Sequence, residues 1–218
     1  LPGATRNGES GQILVRGGAA YETRTFIDGM FVQNPYSSSV PNVPARNRFS
    51  PFLFKGTLFS TGGYSAEYGQ ALSSALLLQT EDLAPQTTTG LSLMSIGANV
   101  SHTHRWKNTS AAVGAGYSNL APYFALIPQS IDWIRAPQAT GAETILRHRT
   151  RKEGMFKVYG SANHSLMRMN YPDPFQPTRT NPLSLLADNL YLNTSYRGQM
   201  NQWTFFAGLA YTWNRDSI

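Results

Sequence analysis

Cysteine is absent from the 218 residues, which excludes a disulfide framework, a thiolate metal site and a thiol nucleophile. That absence suits a periplasmic or outer-membrane setting. Charge is scarce as well: Asp, Glu, Lys and Arg make up 14% of the chain, against roughly 25% in soluble domains. Long apolar runs are missing. The longest candidates, Ala75 to Leu78 and Phe52 to Phe54, are strand-sized, far short of the roughly 20 residues a helix needs to cross a bilayer. Charge-driven disorder is excluded by the aromatics, 12% of residues, which supply ample apolar area. Mean hydropathy is nevertheless −0.31, so the polarity resides in neutral groups: Ser, Thr, Asn, Gln, Gly and Tyr.

The net charge of +6 invites a nucleic-acid reading, but its distribution does not support one. The dense basic run, Arg147, His148, Arg149, Arg151 and Lys152, has no interleaved aromatics. It reads as a solvated polar rim, with contact to phosphate-bearing lipid headgroups as the second choice. No nucleic-acid partner is expected. Leu1-Pro2-Gly3 does not read as a translation start, and the strand pattern from Trp203 to Trp213 stops close to the last residue. The chain is expected to be part of something longer.

A composition break falls at Asp82 to Gln86. Before it, short apolar runs alternate with turns. Ile13-Leu14-Val15 leads into Arg16-Gly17-Gly18, and Thr25-Phe26-Ile27 into the hairpin dipeptide Asp28-Gly29, followed by Met30-Phe31-Val32. Asn34 to Pro44 reads as a loop. Phe52 to Phe54 and Ala75 to Thr80 read as strands, and Ser65 to Tyr68 as a helical turn. After the break, period-2 segments of about ten residues take over. Met94, Ile96, Ala98 and Val100 oppose Ser95, Gly97, Asn99 and Ser101. Ala111 to Tyr117, Phe156 to Leu166 and Leu190 to Tyr196 repeat the alternation. The cleanest places Trp203, Phe205, Ala207, Leu209, Tyr211 and Trp213 on one face.

Such segments are the signature of transmembrane β-strands. Aromatics end the apolar stripe, as interfacial rings do, and the opposite face carries small neutral polar groups. The tight connections fall around Lys107 and Gly198 to Asn201. Met169 to Ala187, with four prolines, reads as a long loop. Ser118 to Lys152 reads as another, holding a short amphipathic helix at Ile131 to Ile134. Five strands cannot close a barrel, because known single-chain barrels start at about eight. The expected fold is therefore mainly β: a partial transmembrane antiparallel barrel over residues 85–218, preceded by a small α+β domain over residues 1–84. A soluble, secreted β-rich binding module is the alternative.

Four motifs in order, ILVRGG (Ile13 to Gly18), FIDGMFV (Phe26 to Val32), Phe54-Lys55-Gly56 and GGYSAEYGQ (Gly62 to Gln70), precede ALLLQT (Ala75 to Thr80). This resembles the latter part of the plug domain of TonB-dependent outer-membrane receptors, followed by the first barrel strands. In that family a plug fills a barrel of about 22 strands. The resemblance implies energy-driven import of a nutrient ligand across the outer membrane of a Gram-negative bacterium. It also implies as partners TonB with its inner-membrane ExbB-ExbD motor, reached through a coupling segment before the plug. Outer-membrane lipid and a surface lipoprotein are further partners it suggests. It casts Arg16, Lys55 and Glu67 as plug–barrel locks, with lysine at position 55 lacking the bidentate fork of arginine. Gly17, Asp28, Gly29, Gly56, Tyr68 and Gly69 match the plug motifs.

Catalysis finds no support. Gly63-Tyr64-Ser65-Ala66-Glu67 lacks the closing glycine of a nucleophile elbow, and Arg16-Gly17-Gly18 lacks the Lys-Ser/Thr of a phosphate loop. His102 and His104 share a strand face without a third ligand nearby, so neither a metal nor another cofactor is expected. Asn-x-Ser triplets recur at Asn99/Ser101, Asn108/Ser110, Asn163/Ser165 and Asn193/Ser195. They are expected to face inward as a polar lining that hydrogen-bonds the plug or water.

Overall fold

The structure, a computed structural model, describes residues 4–6, 13–38, 48–49, 54–151, 154–173, 176 and 179–218. The expectations for Leu1 to Gly3, the later part of the Asn34 to Pro44 loop, Phe52 and Lys152 lie outside these residues. Strands β1 (Ala4–Arg6) and β2 (Ile13–Val15) form an antiparallel ribbon. A 3-10 turn at Ala20–Glu22 leads into β3 (Thr23–Ile27), which pairs with β4 (Met30–Val32) through Asp28 and Gly29. Both turn residues have positive φ, 48° and 84°, the left-handed pair that a two-residue hairpin needs and that the Asp-Gly dipeptide supplies at low cost.

Strands β5 (Phe54–Ser60) and β6 (Ser74–Thr80) complete a four-stranded sheet of order β4-β3-β6-β5. Its central pair, β3 and β6, is parallel. That explains why β6 is an unbroken apolar run rather than an alternating one: both of its faces are covered. Phe26, Ala75 and Leu77 pack to one side, and Ile27, Leu76 and Leu78 to the other. Ser65 to Tyr68 is a turn closed by the Tyr68 amide on the Ser65 carbonyl, 3.0 Å, and not helical.

The remainder is a single antiparallel meander of seven strands: β7 (Thr88–Met94), β8 (Gly97–Arg105), β9 (Thr109–Asn119), β10 (Asp132–Arg149), β11 (Met155–Pro172), β12 (Thr180–Met200) and β13 (Trp203–Ser217). It forms the wall of a partial barrel. Five strands were expected, and β7 and β10 are the additions. Thr88 to Met94 escaped notice because the alternation from Met94 to Val100 spans a hairpin turn and belongs to two strands. Strand β10 was read as loop because Pro137, Gly141 and the basic cluster interrupt its pattern. Ile131 directly precedes this strand and Asp132 to Ile134 open it, and the helix α1 lies earlier, at Ala121–Leu126, with Pro122 in its first turn. The connection expected from Met169 to Ala187 shrinks to residues 173–179. No helix among the described residues is long and apolar enough to cross a membrane.

Among the described residues, one face of the wall meets the inner sheet and the other is left uncovered. Leu91, Trp203 and Leu209 are 71%, 72% and 69% exposed on the outer face. From Trp203 to Trp213 the outer stripe of β13 runs ~34 Å at about 3.4 Å per residue. At the usual tilt of about 40° this is a height of about 26 Å, matching the apolar band of outer-membrane barrels. Nitroxide labels along β13 in a bilayer are expected to show oxygen accessibility alternating with period two, high at Leu209 and low at Ala210, which packs against the inner core. Equal, low accessibility at both positions would indicate a two-sided sandwich.

Candidate functional site

Among the described residues, most of the long-range ion pairs and buried polar contacts lie at the inner interface, which is the candidate site. It begins at the end where the chain passes from β6 to β7, called here the lower end. Arg147 on β10 and Lys157 on β11 are direct cross-strand neighbours, and Arg147 is only 5% exposed. Adjacent cations repel, but Asp28, Glu81 and Asp82 offset them, their charges all acting on Arg147. Lys157 Nζ lies 3.1 Å from Asp82 Oδ1 and 3.5 Å from Asp28 Oδ1. It also donates to the Thr80 carbonyl at 2.9 Å. Asp28 in turn accepts from the Thr80 amide at 3.0 Å and the Thr80 hydroxyl at 2.6 Å. One wall lysine thus joins the β3–β4 turn to the end of β6.

Lys55 Nζ approaches the other oxygen of Asp82 at 2.6 Å. Partial burial pushes the Asp82 carboxyl up, but the hydrogen bond from Lys55 and the charge of Lys157 outweigh it and hold the group below the usual carboxylate range. Tyr68 sits edge-on to Phe26, ring centroids 5.1 Å apart. Burial, then the Glu67 carboxylate, pushes its phenol up to about 12 against the pull of Arg197.

Above this network the contact is apolar. Ile27, Val32, Phe49, Leu76 and Leu78 meet Ile145, Tyr159 and Tyr191 of the wall. Asn193 Nδ2 donates to the Ile27 carbonyl at 2.7 Å, satisfying a strand-end group that burial would otherwise strand. The hairpin tip fits because β13 has no side chain at Gly208, where a Cβ would come 2.7 Å from Met30 Sδ. Higher still, Arg48 Nη1 donates to Asn189 Oδ1 and, at 2.7 Å, to Asn214 Oδ1. Ser38 Oγ donates to Asp216 at 2.5 Å. A cavity of about 640 Å³ separates Arg48 from strands β7 to β11 and includes Asn99, Ser101, Glu143 and Asn163 in its lining.

The structure brings Lys55, Asp28 and Gly29 to the lower network and its adjoining 280 Å³ cavity. Gly56 opens the bulged start of β5, and Gly69 lies in the exposed turn after Tyr68. Arg16 and Gly17 form an exposed positive-φ turn, and Glu67 is exposed beside Tyr68; neither Arg16 nor Glu67 has an ion pair among the described residues. Lys55 pairs with Asp82 of the adjoining segment, not with a wall carboxylate. Asn193 and Ser195 are buried against the inner sheet. Ser165 pairs with Ala139 further up the wall. The basic run is split: Arg147 is buried at the interface, whereas His148, Arg149 and Arg151 are exposed.

Sequence reasoning missed Lys157, Asp82, Arg147 and Arg48. Lys157 had a usable signal, being the one cation on a face otherwise made of Tyr159, Ser161 and Asn163. Arg48 had none, because nothing in its local pattern marks it.

No protein-family model and no curated protein matches the sequence. Solved structures do match in fold. Two mutants of the ferric enterobactin receptor of Pseudomonas aeruginosa superpose over 99% of this chain at 15% identity, with TM-scores of 0.59 and 0.57. The ferric enterobactin receptor PfeA in a complex gives 14% identity and a TM-score of 0.62. The chain spans 37–38% of the length of those chains.

Lys157→Met is expected to weaken docking of the inner sheet by about 2 kcal/mol, less than the 3–5 of a fully buried pair because Asp82 is half exposed. Amide exchange at Thr80 should quicken roughly thirtyfold. Because the Asp82 pKa is depressed in the fold, its contribution is present above about pH 4 and is lost as pH falls through the folded value. That acid sensitivity should vanish in Asp82→Asn. Unchanged exchange in Lys157→Met would show that the network carries no docking energy.

Proposed function

We propose that this chain is part of a TonB-dependent outer-membrane receptor, with the inner sheet as its plug and the meander as the first strands of its barrel. One observation carries the reading. A four-stranded domain lies against the polar inner face of a wall whose outer face is an uncovered apolar band of bilayer height. A secreted binding module would leave that band in water, where exposed apolar patches of such size are rare.

Blocked by its plug, the lumen passes nothing at rest, so import of a ligand requires energy from TonB and its ExbB-ExbD motor. Arg147 and Lys157 would hold the plug through Asp28 and Asp82, a lock whose cations sit on the barrel. Among the described residues, the ribbon β1–β2 has no ion pair to the wall. A pull arriving from the N-terminal side would therefore load β2 and the 3-10 turn before it reached the lock. Ferric enterobactin, for which the structural neighbours are named, is the first ligand to test. The lining around Arg48, Asn99 and Asn163 would serve passage of a polar solute.

The intact protein should fractionate with the outer membrane. With any cysteine elsewhere in the intact protein replaced by serine, a Ser74→Cys probe is nearly isosteric at a fully buried plug position. During ligand uptake this thiol is expected to react with a periplasmic maleimide in energised cells, and to stay protected once the proton gradient is collapsed. Recovery as a soluble periplasmic protein, or labelling indifferent to the gradient, would overturn the reading.

A further inference from the structure

The cavity of about 640 Å³ beside Arg48 is lined by side chains whose bonding capacity the protein leaves unused. Among the described residues, Arg48 and Glu143 are the charged groups in its lining. Arg48 spends Nη1 on Asn189 and Asn214, while its Nε and Nη2 are buried without a partner. Asp216 is the carboxylate whose charge reaches it. Glu143, half-buried on β10, has neither an ion pair nor a side-chain hydrogen bond among the described residues. Buried donors and carboxylates left unpaired are costly, so both groups call for a ligand that brings the opposite charge to each.

The strand register sets their spacing. Gly141, Asn163, Asn189 and Asn214 form one cross-strand row, and Glu143 lies two residues further along β10. From Asn189, where Arg48 is anchored, Glu143 is two strands across and two residues along, about 12 Å at the backbone. Asn163 stands between them. Its side chain lies across Gly141, where a Cβ would come 2.8 Å from Asn163 Oδ1, and its amide also lacks a hydrogen-bond partner among the described residues.

We infer that this cavity binds a short zwitterionic peptide, with its carboxylate on Arg48, its ammonium on Glu143 and a peptide group on Asn163. The Nε–Nη2 edge of a guanidinium offers two parallel N–H donors that match a carboxylate. Turning that edge into the cavity would also end its unpaired burial. A primary amide both donates and accepts, as a peptide group does. An extended tripeptide is about 10 Å long, which fits the span once both charged side chains reach inward. A neutral sugar would leave Glu143 without a cation, and an anionic chelate would be repelled by it.

The inference deepens the import reading above and rests on it. Its test is isothermal titration of the intact protein in detergent with trialanine, N-acetyl-trialanine and trialanine amide. Trialanine should bind, and loss of either terminal charge should weaken it about tenfold, the order of one charge-assisted hydrogen bond. Glu143→Gln should weaken trialanine about tenfold and leave N-acetyl-trialanine unchanged, a pairing that a merely structural role would not produce. Asn163→Leu should weaken all three peptides alike. Asn108→Leu, in the exposed lower turn after β8, should bind like the parent. Heat-modifiable mobility should stay the same in every variant.

Failure of trialanine to bind would overturn the inference, as would equal binding of its N-acetylated form. So would equal weakening of both by Glu143→Gln. A detergent-requiring barrel that holds ferric enterobactin but not trialanine would overturn this inference alone. A protein that stays monomeric without detergent would overturn the receptor reading itself.

Discussion

Each wall strand carries two unlike faces at once, and this constraint governs the molecule. From β8 to β12 the backbone groups are consumed by ladder partners on both sides, as a strand standing in hydrocarbon would require. Its side chains then divide by parity between an apolar exterior and a polar interior. The alternation leaves little room for charge, which explains why charged residues make up only 14% of the chain. Where cations do enter the inner face, as at Arg147 and Lys157, they require counter-charges from the inner sheet. Asp28, Glu81 and Asp82 occupy a turn and a strand end, which present carboxylates more readily than a buried strand centre does.

The same constraint shapes the inner sheet. Its parallel central pair is apolar on both faces because one face meets the wall and the other its own covering turns. Polar contacts with the wall fall at the sheet's ends, Lys157 below and Arg48 above, while Asn193 caps a strand end between them. The sheet is therefore held by greasy contact at its middle and by directional bonds at its margins. The margins alone are sensitive to salt and acid.

Much of the architecture was legible where a local rule fixes it. Asp28-Gly29 announces its turn through two positive-φ residues, and Trp203 to Trp213 announces its faces by strict alternation. Strand β10 was hidden because Pro137 and Gly141 are admissible in a wall strand, yet they erase the pattern a reader relies on. Arg147 read as solvent-exposed because sequence shows a cluster of charge and not which parity each member takes. His148 beside it faces outward while Arg147 faces in. The ionic contacts were the least legible part. Lys157 and Asp28 are 129 positions apart and lie in separate sheets, so only the docking of the inner sheet on the wall brings them together.

The wall strands also differ greatly in length, from 7 residues in β7 to 21 in β12. Their lower turns lie nearly level, so the inequality is expressed at the top. Strand β11 climbs to Pro172, about 24 Å along the strand beyond Ser165, whereas β7 and β8 turn back at Ser95 and Ile96. Across the described residues the rim is a ramp, tall at β10 to β12 and low at β7 and β8. Anything bulky descending on this sector would be turned aside by the tall flank and led across the low one, so the approach is oblique rather than axial.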